Sequence, residues 1–447
     1  MIAIDNSLTP ARLEKKVRAL FDASAGKLRA LESTWQPAQG APVFTVDGRY
    51  TSRGWTEWTQ GFQFGSAILQ FDATGDPHFL DYGRDHTVRL MAPHLTHSGV
   101  HDHGFNNVST YGSLLRLLHE GRIPANDWER RYYELALMCS GAVQAMRWSR
   151  TAGGGGYIYS FNGPHSLFVD SIRSLRALAV SHRLGHVLMG ENDRRISLLD
   201  RLTDHAEATA RSSVYYGDGR DVYDVRGRTA HESVFNTSDG NYRCPSTQQG
   251  YSPFSTWTRG LAWAMCGFAE QLEFFASLPG EHEAVVATMR RAAEATCDFY
   301  VANSPTDGIP YWDTGAPNLH QLGDWAERPS DPFNPWEPVD SSAAAIAAQG
   351  LLRLGRYLRN ERYWQAGLTV CDALFDRPYL SSDSAHQGLI LHAVYHRPNG
   401  WDRASAIDGV PRGEACMWGD YHAREVALYL LRIIEDRPYL TFWSDAK

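Results

Sequence analysis

Helical periodicity recurs about twelve times along the 447 residues, and it constrains the fold more than any other feature of the chain. From Ser341 onward, Ala343, Ile346, Ala347, Gly350, Leu351, Leu354 and Leu358 fall at helical spacing and share one face. Asp340, Ser341 or Ser342 is available as the N-cap of that helix. Similar stretches begin near Ala11, Thr56, Pro77, Asn106, Ala125, Leu167, Arg194, Ser255, His282, Arg362 and Gly419. Several come in pairs across a short polar turn. Residues 64–71 pass through Thr74-Gly75-Asp76 into 78–91, and 351–357 pass through Arg359-Asn360-Glu361 into 364–374. Residues 178–188 turn at Gly190-Glu191-Asn192 into 196–210. A repeated helix, turn, helix unit marks an array of helical hairpins.

Six hairpins can close into an (α/α)6 barrel, an all-α fold; an open α-solenoid uses the same units and is the alternative. The strand-like segments are 157–161 and 388–395, expected as short hairpins on a rim. No Pro/Gly/Ser-rich linker divides the chain, so residues 1–447 are expected to form one catalytic domain. The longest non-periodic stretch, 303–339, is rich in Pro, Trp and Asp and reads as a cleft wall or lid.

The net charge of −8 provides no global positive field for a nucleic-acid backbone, so an anionic partner has to be caught by local arginines. Aromatic residues are 12 % of the chain, with 14 Trp. Flat aromatic faces suit sugar rings, although a large core also consumes them. The six cysteines form no C-x-x-C pair, and Cys139, Cys266, Cys297 and Cys371 lie in apolar helix-like stretches. A disulfide framework is therefore not expected. The first residues lack a basic segment followed by an apolar one, and no run of about 18 apolar residues occurs. The expectation is no membrane span and a cytoplasmic location, or a periplasmic one if a leader has been removed.

Three segments concentrate chemistry. His97-Ser-Gly-Val-His101-Asp102-His103-Gly104-Phe105 is the densest titratable cluster and admits three readings. It is a metal site, a helix start stabilised by Asp102, or the seat of an active-site carboxylate. Asp170 lies among Phe168, Val169 and Ile172 near a helix start. It either favours the helix end or is a proton-carrying carboxyl whose pKa desolvation raises. The third segment runs from Gln249 to Trp263. Ser255 or Thr256 is its expected cap, and Arg259 and Trp263 are i,i+4 neighbours. They form either a core pair or a clamp in which the guanidinium takes a carboxylate and the indole covers a sugar. Trp55, Trp58 and Trp312-Asp313 add aromatic groups that favour a carbohydrate groove. The Gly153–Gly156 run has no Lys-Ser/Thr after it and reads as a turn, not a phosphate loop.

In order along the chain, the sequence carries Trp58-Thr-Gln-Gly-Phe62, Thr74-Gly-Asp76, His101-Asp-His-Gly-Phe105, Asp170, His231 and Gln249-Gly-Tyr-Ser252. Ser255-Thr-Trp257-Thr-Arg-Gly260, Pro310-Tyr-Trp-Asp313, Asp340-Ser-Ser-Ala-Ala-Ala345 and Trp418-Gly-Asp-Tyr421 follow. This ordered set resembles the unsaturated glucuronyl hydrolases of glycoside hydrolase family 88. The resemblance implies an (α/α)6 barrel and removal of a Δ4,5-unsaturated uronic acid from oligosaccharides left by polysaccharide lyases. The chemistry it implies is hydration of an enol ether. A carboxylic acid protonates C4, its carboxylate then activates water at C5, and the hemiketal opens to expel the remaining sugar. It implies no metal and no organic cofactor. By position Asp170 matches the acid/base, and Asp102 matches a second acid that holds sugar hydroxyls and, if ionised, keeps Asp170 protonated. Trp58 and Trp263 match ring-contacting tryptophans. His231, Gln249, Trp257 and Arg259 match residues around the uronate and the water, with Arg259 taken from its charge as the carboxylate partner.

Three positions depart from the family pattern. Arg173 follows Asp170 by one helical turn, where it would lower the acid's pKa or meet a further anionic group on the substrate. Phe161 stands where Trp is common, and Leu261 where Gln is common. They bear on the leaving sugar more than on the reaction. Competing readings are an unsaturated rhamnogalacturonyl hydrolase, a polysaccharide lyase or epimerase, and a non-catalytic sugar-binding barrel. Partners other than an unsaturated oligosaccharide, namely nucleic acid and membrane, are not expected, and oligomeric state is left open.

Overall fold

The structure, a computed structural model, describes residues 1–54 and 57–444. Trp55 and the helix start expected near Thr56 lie outside the described residues. Twelve principal helical segments alternate between two environments. One set buries a single stripe: Pro10–Glu32 packs Leu13, Val17, Leu20, Phe21, Leu28 and Leu31 inward and leaves its other face to water. Pro77–Leu90, Asp127–Met146, Leu198–Ser213, Glu283–Asn303 and Glu361–Leu374 belong to this set. The other set is buried nearly all round: Gln60–Thr74, Thr258–Ala276, Ser341–Leu358 and Met417–Ile434. It is completed by two broken segments. His103–Asn106 passes through a π turn at Val108–Gly112 into Ser113–His119, and Ser171–Ser174 continues as Arg176–Arg183.

The buried helices pack on one another in sequence order, and Met417–Ile434 returns to Gln60–Thr74, closing the ring. The fold is thus the (α/α)6 barrel, and the open solenoid is excluded by that closure. All six inner segments start at the same end, because their N-terminal residues touch in pairs: Gly104 with Ser174, Arg259 with Asp340, Ser342 with Trp418, and Trp418 with Trp58. At the opposite end a buried carboxylate, Asp72, is gripped by Arg116, Arg432 and Arg437 at 2.9, 2.6 and 3.0 Å.

Local expectations meet three corrections. The turn at 190–192 is present, but it joins two short antiparallel strands, Val187–Met189 and Arg195–Ser197, so the preceding helix stops at Arg183. Residues 388–395 form only an isolated bridge between Leu380 and Ile390, because the Asp420 carboxylate takes the N–H groups of Leu389 and Ile390. The cap of Thr258–Ala276 is Trp257, without a side-chain bond; Ser255 and Thr256 bond elsewhere in the loop. Gly156–Ile158, by contrast, is a strand as expected, paired with Trp148–Arg150 across the glycine turn, where Gly154 and Gly155 take positive φ. Asp340 is the N-cap of its helix, accepting from Ser342 N–H. The 303–339 stretch is tied down as a wall by Thr258 N–H to Trp312 O and Asp340 N–H to Pro310 O.

At the mouth the ring depends on close backbone approach. A Cβ on Gly104 would lie 2.3 Å from the carbonyl oxygen of Ser174, and the Gly104 N–H donates to Ser174 Oγ. Gly104→Ala is expected to cost about 1–3 kcal/mol of stability through overpacking, read as a lower Tm. Turnover should fall with it, because the helices bearing Asp102 and Asp170 are forced apart.

Candidate active site at the barrel mouth

Asp102 and Asp170 each occupy an N-cap position, yet neither side chain caps its helix. Outer helices, by contrast, begin with side-chain caps from Thr9, Asp76, Asn126, Ser197 and Asn360. The helix-stabilising readings of Asp102 and Asp170 are therefore corrected: both carboxylates are turned away from their own helices toward each other's surroundings.

Asp170 Oδ2 lies 3.0 Å from His101 Nε2, and Oδ1 has no hydrogen-bond partner among the described residues. His101 Nε2 is also 3.7 Å from Asp102 Oδ1. His231 stands on the other side, with Nε2 3.8 Å from Asp170 Oδ1. Its location follows from the antiparallel pairing of Ser166–Phe168 with Glu232–Phe235, which sets His231 opposite Val169. His231 Nδ1 accepts the backbone N–H of Gln248 and Gln249, so its proton is on Nε2, facing Asp170. Of the remaining histidines in the first cluster, His103 bonds Ser140 Oγ and the carbonyl of His97 and supports the loop instead.

Burial pushes the Asp102 carboxyl up; the His101 charge opposes this and the Asp170 charge adds to it. Burial also pushes Asp170 up, but the His101 hydrogen bond and charge, with a smaller effect from His231, outweigh it and leave Asp170 below its ordinary value. His101 moves the other way: burial lowers it, and the two carboxylates raise it above its ordinary value. Burial holds His231 down, at about 4, in its neutral form. The expectation that desolvation lifts Asp170 is thus corrected, because two imidazoles face it. One ligand atom each from His101, Asp102 and Asp170 lies within 4.8 Å of the others, so the donor set for a cation exists in outline.

The aromatic residues continue the site without a break. The His231 ring is 4.7 Å from Trp257, and the Arg259 guanidinium lies 4.6 Å from Trp257 and 4.9 Å from Trp418. Trp418 stacks on Trp58 at 5.0 Å, Trp58 meets Phe105, and Phe105 meets Trp263 at 4.9 Å. Trp58 is half-buried, whereas Trp257 and Trp263 are each 3 % exposed and form the walls and floor. Phe161, 47 % exposed, stacks on His101 and screens it from solvent.

The Arg259–Trp263 clamp is corrected. Arg259 spends its terminal N–H groups on Asp340, the carbonyls of Val394 and Tyr395, and Gln249 Oε1. It holds Gln249 and the 394–395 segment in position, leaving no terminal N–H for a substrate carboxylate. The cation beside Trp263 is Arg173, at 5.7 Å, and it is fully buried. The Arg173 side chain pairs with Glu270 and Glu425 at 3.1 and 2.6 Å and neither bonds the Asp170 carboxylate nor reaches open space at the mouth, so both expectations for it fall. Leu261 is core, and Trp312 is core too, its indole N–H bonded to Glu337. Residue-level reading missed His101 as the partner of Asp170, and Trp418 as the link between Arg259 and Trp58. Each lies far along the chain from what it touches.

A closed ring of helices whose shared mouth holds two uncapped carboxylates among tryptophans has the architecture of an (α/α)6-barrel glycosidase. No family model matches the chain. It is 26 % identical over 374 residues to the unsaturated glucuronyl hydrolase of Formosa agariphila, covering 83 % of this chain and 78 % of that protein. It is 27 % identical over 399 residues to the unsaturated glucuronyl hydrolase of Bacillus sp. strain GL1, covering 86 % and 89 %. The crystal structure of the Bacillus sp. GL1 enzyme, described as responsible for the degradation of glycosaminoglycan, superposes with a TM-score of 0.71. At 23 % identity it covers 97 % of this chain and all of that one. The chain is a relative of the unsaturated glucuronyl hydrolases, as its ordered motifs indicate.

Arg259→Met tests the structural assignment of this arginine. It leaves the buried Asp340 carboxylate without its cation, and a loss of about 3–5 kcal/mol in stability is expected, measured by thermal or denaturant unfolding. An arginine serving only as a substrate clamp would instead raise KM and leave unfolding unchanged.

Proposed function

We propose that the chain, acting as one catalytic domain, hydrolyses Δ4,5-unsaturated uronic acid from the non-reducing end of lyase-generated glycosaminoglycan fragments. The observation that carries this is the pair of unshared groups at the mouth: Asp170 Oδ1 without a partner, and the His231 Nε2–H 3.8 Å away. A water set to the side of that line can accept from His231 Nε2–H and donate to Asp170 Oδ1, and would be oriented by both.

Asp170 and His101 share one proton on the Oδ2–Nε2 line in the free enzyme. The substrate carboxylate adds negative charge and displaces water, and both effects shift that proton toward Asp170. Asp170 then protonates C4, and positive charge develops at C5. The carboxylate so formed takes a proton from water as its oxygen bonds to C5. Water has then been added across the double bond. The resulting hemiketal opens to a ketone and releases the remaining sugar. Except at Asp340, the N-termini of the inner helices carry no side-chain cap; they face the same mouth, and their partial positive charge favours an anionic uronate. Trp58, backed by Trp418, supplies a flat apolar face for a sugar ring. Trp257 and Trp263 close the walls, and Asp102, whose carboxyl burial pushes up, bonds hydroxyls. Arg259 acts through Gln249.

Wild-type protein should remove the double-bond absorbance of an unsaturated chondroitin or hyaluronan disaccharide, with no loss of rate in chelator. Asp170→Asn is expected to lower kcat by at least about 10³-fold with an unchanged far-ultraviolet dichroism spectrum; near-normal turnover would refute the assignment. His101→Gln removes the group that retains the proton. Because His101 is raised above its ordinary value of 6.5, wild-type activity should decline only as pH rises past that value. In His101→Gln the alkaline limb of kcat/KM should move down toward the carboxyl range.

A further inference from the structure

Outside the mouth, a groove of about 480 Å3 lies between the turn of the Trp148–Arg150/Gly156–Ile158 hairpin and the turn joining Glu232–Phe235 to Tyr242–Ser246. Its volume is within the range of small-ligand sites. Trp148, Arg150, Pro164, Thr237, Ser238 and Asp239 line it. Among the described residues the Arg150 side chain makes no hydrogen bond or ion pair, and neither the hydroxyls of Thr237 and Ser238 nor the indole N–H of Trp148 has a partner. Both turns are nonetheless rigidly built. Ala152 N–H donates to Gly240 O, Ser149 Oγ and Tyr157 OH both donate to Pro164 O, and Asp239 accepts from Asn236 Nδ2 and Asn241 N–H.

Behind the groove, Arg201 stacks its guanidinium 3.8 Å over the Trp148 ring, with no carboxylate in pairing distance and its Nε buried without a partner. Burial holds Arg201 down, at about 10; Asp204 opposes this, and the charges of Arg194 and Arg150 add to it. The groove's own cation is Arg150, and an anion entering the groove would meet its guanidinium with no carboxylate bonded to it.

We propose that this groove is a second saccharide site, one that takes an acidic sugar unit through its carboxylate or sulfate on Arg150 and its hydroxyls on Thr237, Ser238 and Asp239. A guanidinium fork suits either anion, and free hydroxyls and a carboxylate on rigid turns suit sugar hydroxyls. The choice of a saccharide over another anion rests on the glycosidase reading above. The groove shares a wall with the catalytic mouth: Phe161 covers His101, and Pro164 lines the groove three residues later. Three residues span at most about 11 Å. The occupant is either a unit further along the chain whose unsaturated end is at Asp170, or a separate glycan chain.

The test is titration calorimetry with a saturated, sulfated, glucuronate-containing hexasaccharide, comparing wild type with Arg150→Ser/Ser238→Ala. Loss of a charged hydrogen bond and a hydroxyl should weaken binding at least about tenfold. Turnover of the unsaturated disaccharide should be unchanged, which also shows the variant is folded. A parallel rise in KM for an unsaturated hexasaccharide assigns the groove to the same chain, whereas weakened binding with unchanged KM assigns it to a separate one. Equal affinity of the two proteins, no binding by wild type, or equally tight binding of polyglutamate would overturn the proposal. Failure of disaccharide turnover in wild type would count against the catalytic reading alone, because the groove is read by binding.

Discussion

Four of the six inner helical segments meet at a buried charge network on the barrel axis, and both the floor of the mouth and the closure of the ring rest on it. Arg173 and Arg176 come from the segment after Asp170, Glu270 and Glu273 from Thr258–Ala276, Arg353 and Gln349 from Ser341–Leu358, and Glu425 from Met417–Ile434. Gln349 accepts from Arg173 and donates to Glu425, so the fork of Arg173 is filled from three helices. Such a network does not make a barrel more stable than a well-packed apolar core would. Each ion, once buried, does require its partners, and that requirement sets the register of the helices against one another.

That register reaches the chemistry through very few atoms. Arg173 is three residues past Asp170, and its guanidinium lies under Trp263 and against His422, whose other ring nitrogen donates to the Trp418 carbonyl. Trp418 in turn stacks on Trp58 and backs Arg259. The aromatic walls are thus fixed from below by the axis and from the side by Arg259, which ties Asp340, Gln249 and the 394–395 backbone together. Preorganisation of this kind matters for a reaction whose barrier falls only if acid, water and oxocarbenium-like centre are held in line.

Two inner segments are not continuous helices, and they are the two that start at the acids. Both Asp102 and Asp170 precede a four-residue helix. Gln144 and Ser174 each donate to the carbonyl of His101, clamping it at that junction. The broken segments let His101 reach across to Asp170 while the remaining turns stay in the ring. A longer regular helix would direct a capping carboxylate onto its own N–H groups, which is the usual place for an acid at such a position.

The helical periodicity, the polar turns at 74–76 and 359–361 and the Asp340 cap were legible in the sequence, because periodicity and capping are local properties that survive whatever they later pack against. The ordered motifs likewise brought Asp102, Asp170, His231, Gln249, Trp257, Arg259, Trp58 and Trp263 to one region. What each side chain does there was decided by tertiary structure alone. Arg259 reads as a clamp until Asp340, 81 residues on, takes its N–H, and Arg173 reads as a neighbour of Asp170 until Glu425, 252 residues on, draws it to the axis. Asp170 reads as a desolvated, raised acid until His101 and His231 flank it. The physical reason is that charges and hydrogen bonds act over a few ångströms in space whatever the separation along the chain, so a residue's partners are known only once the ring has closed.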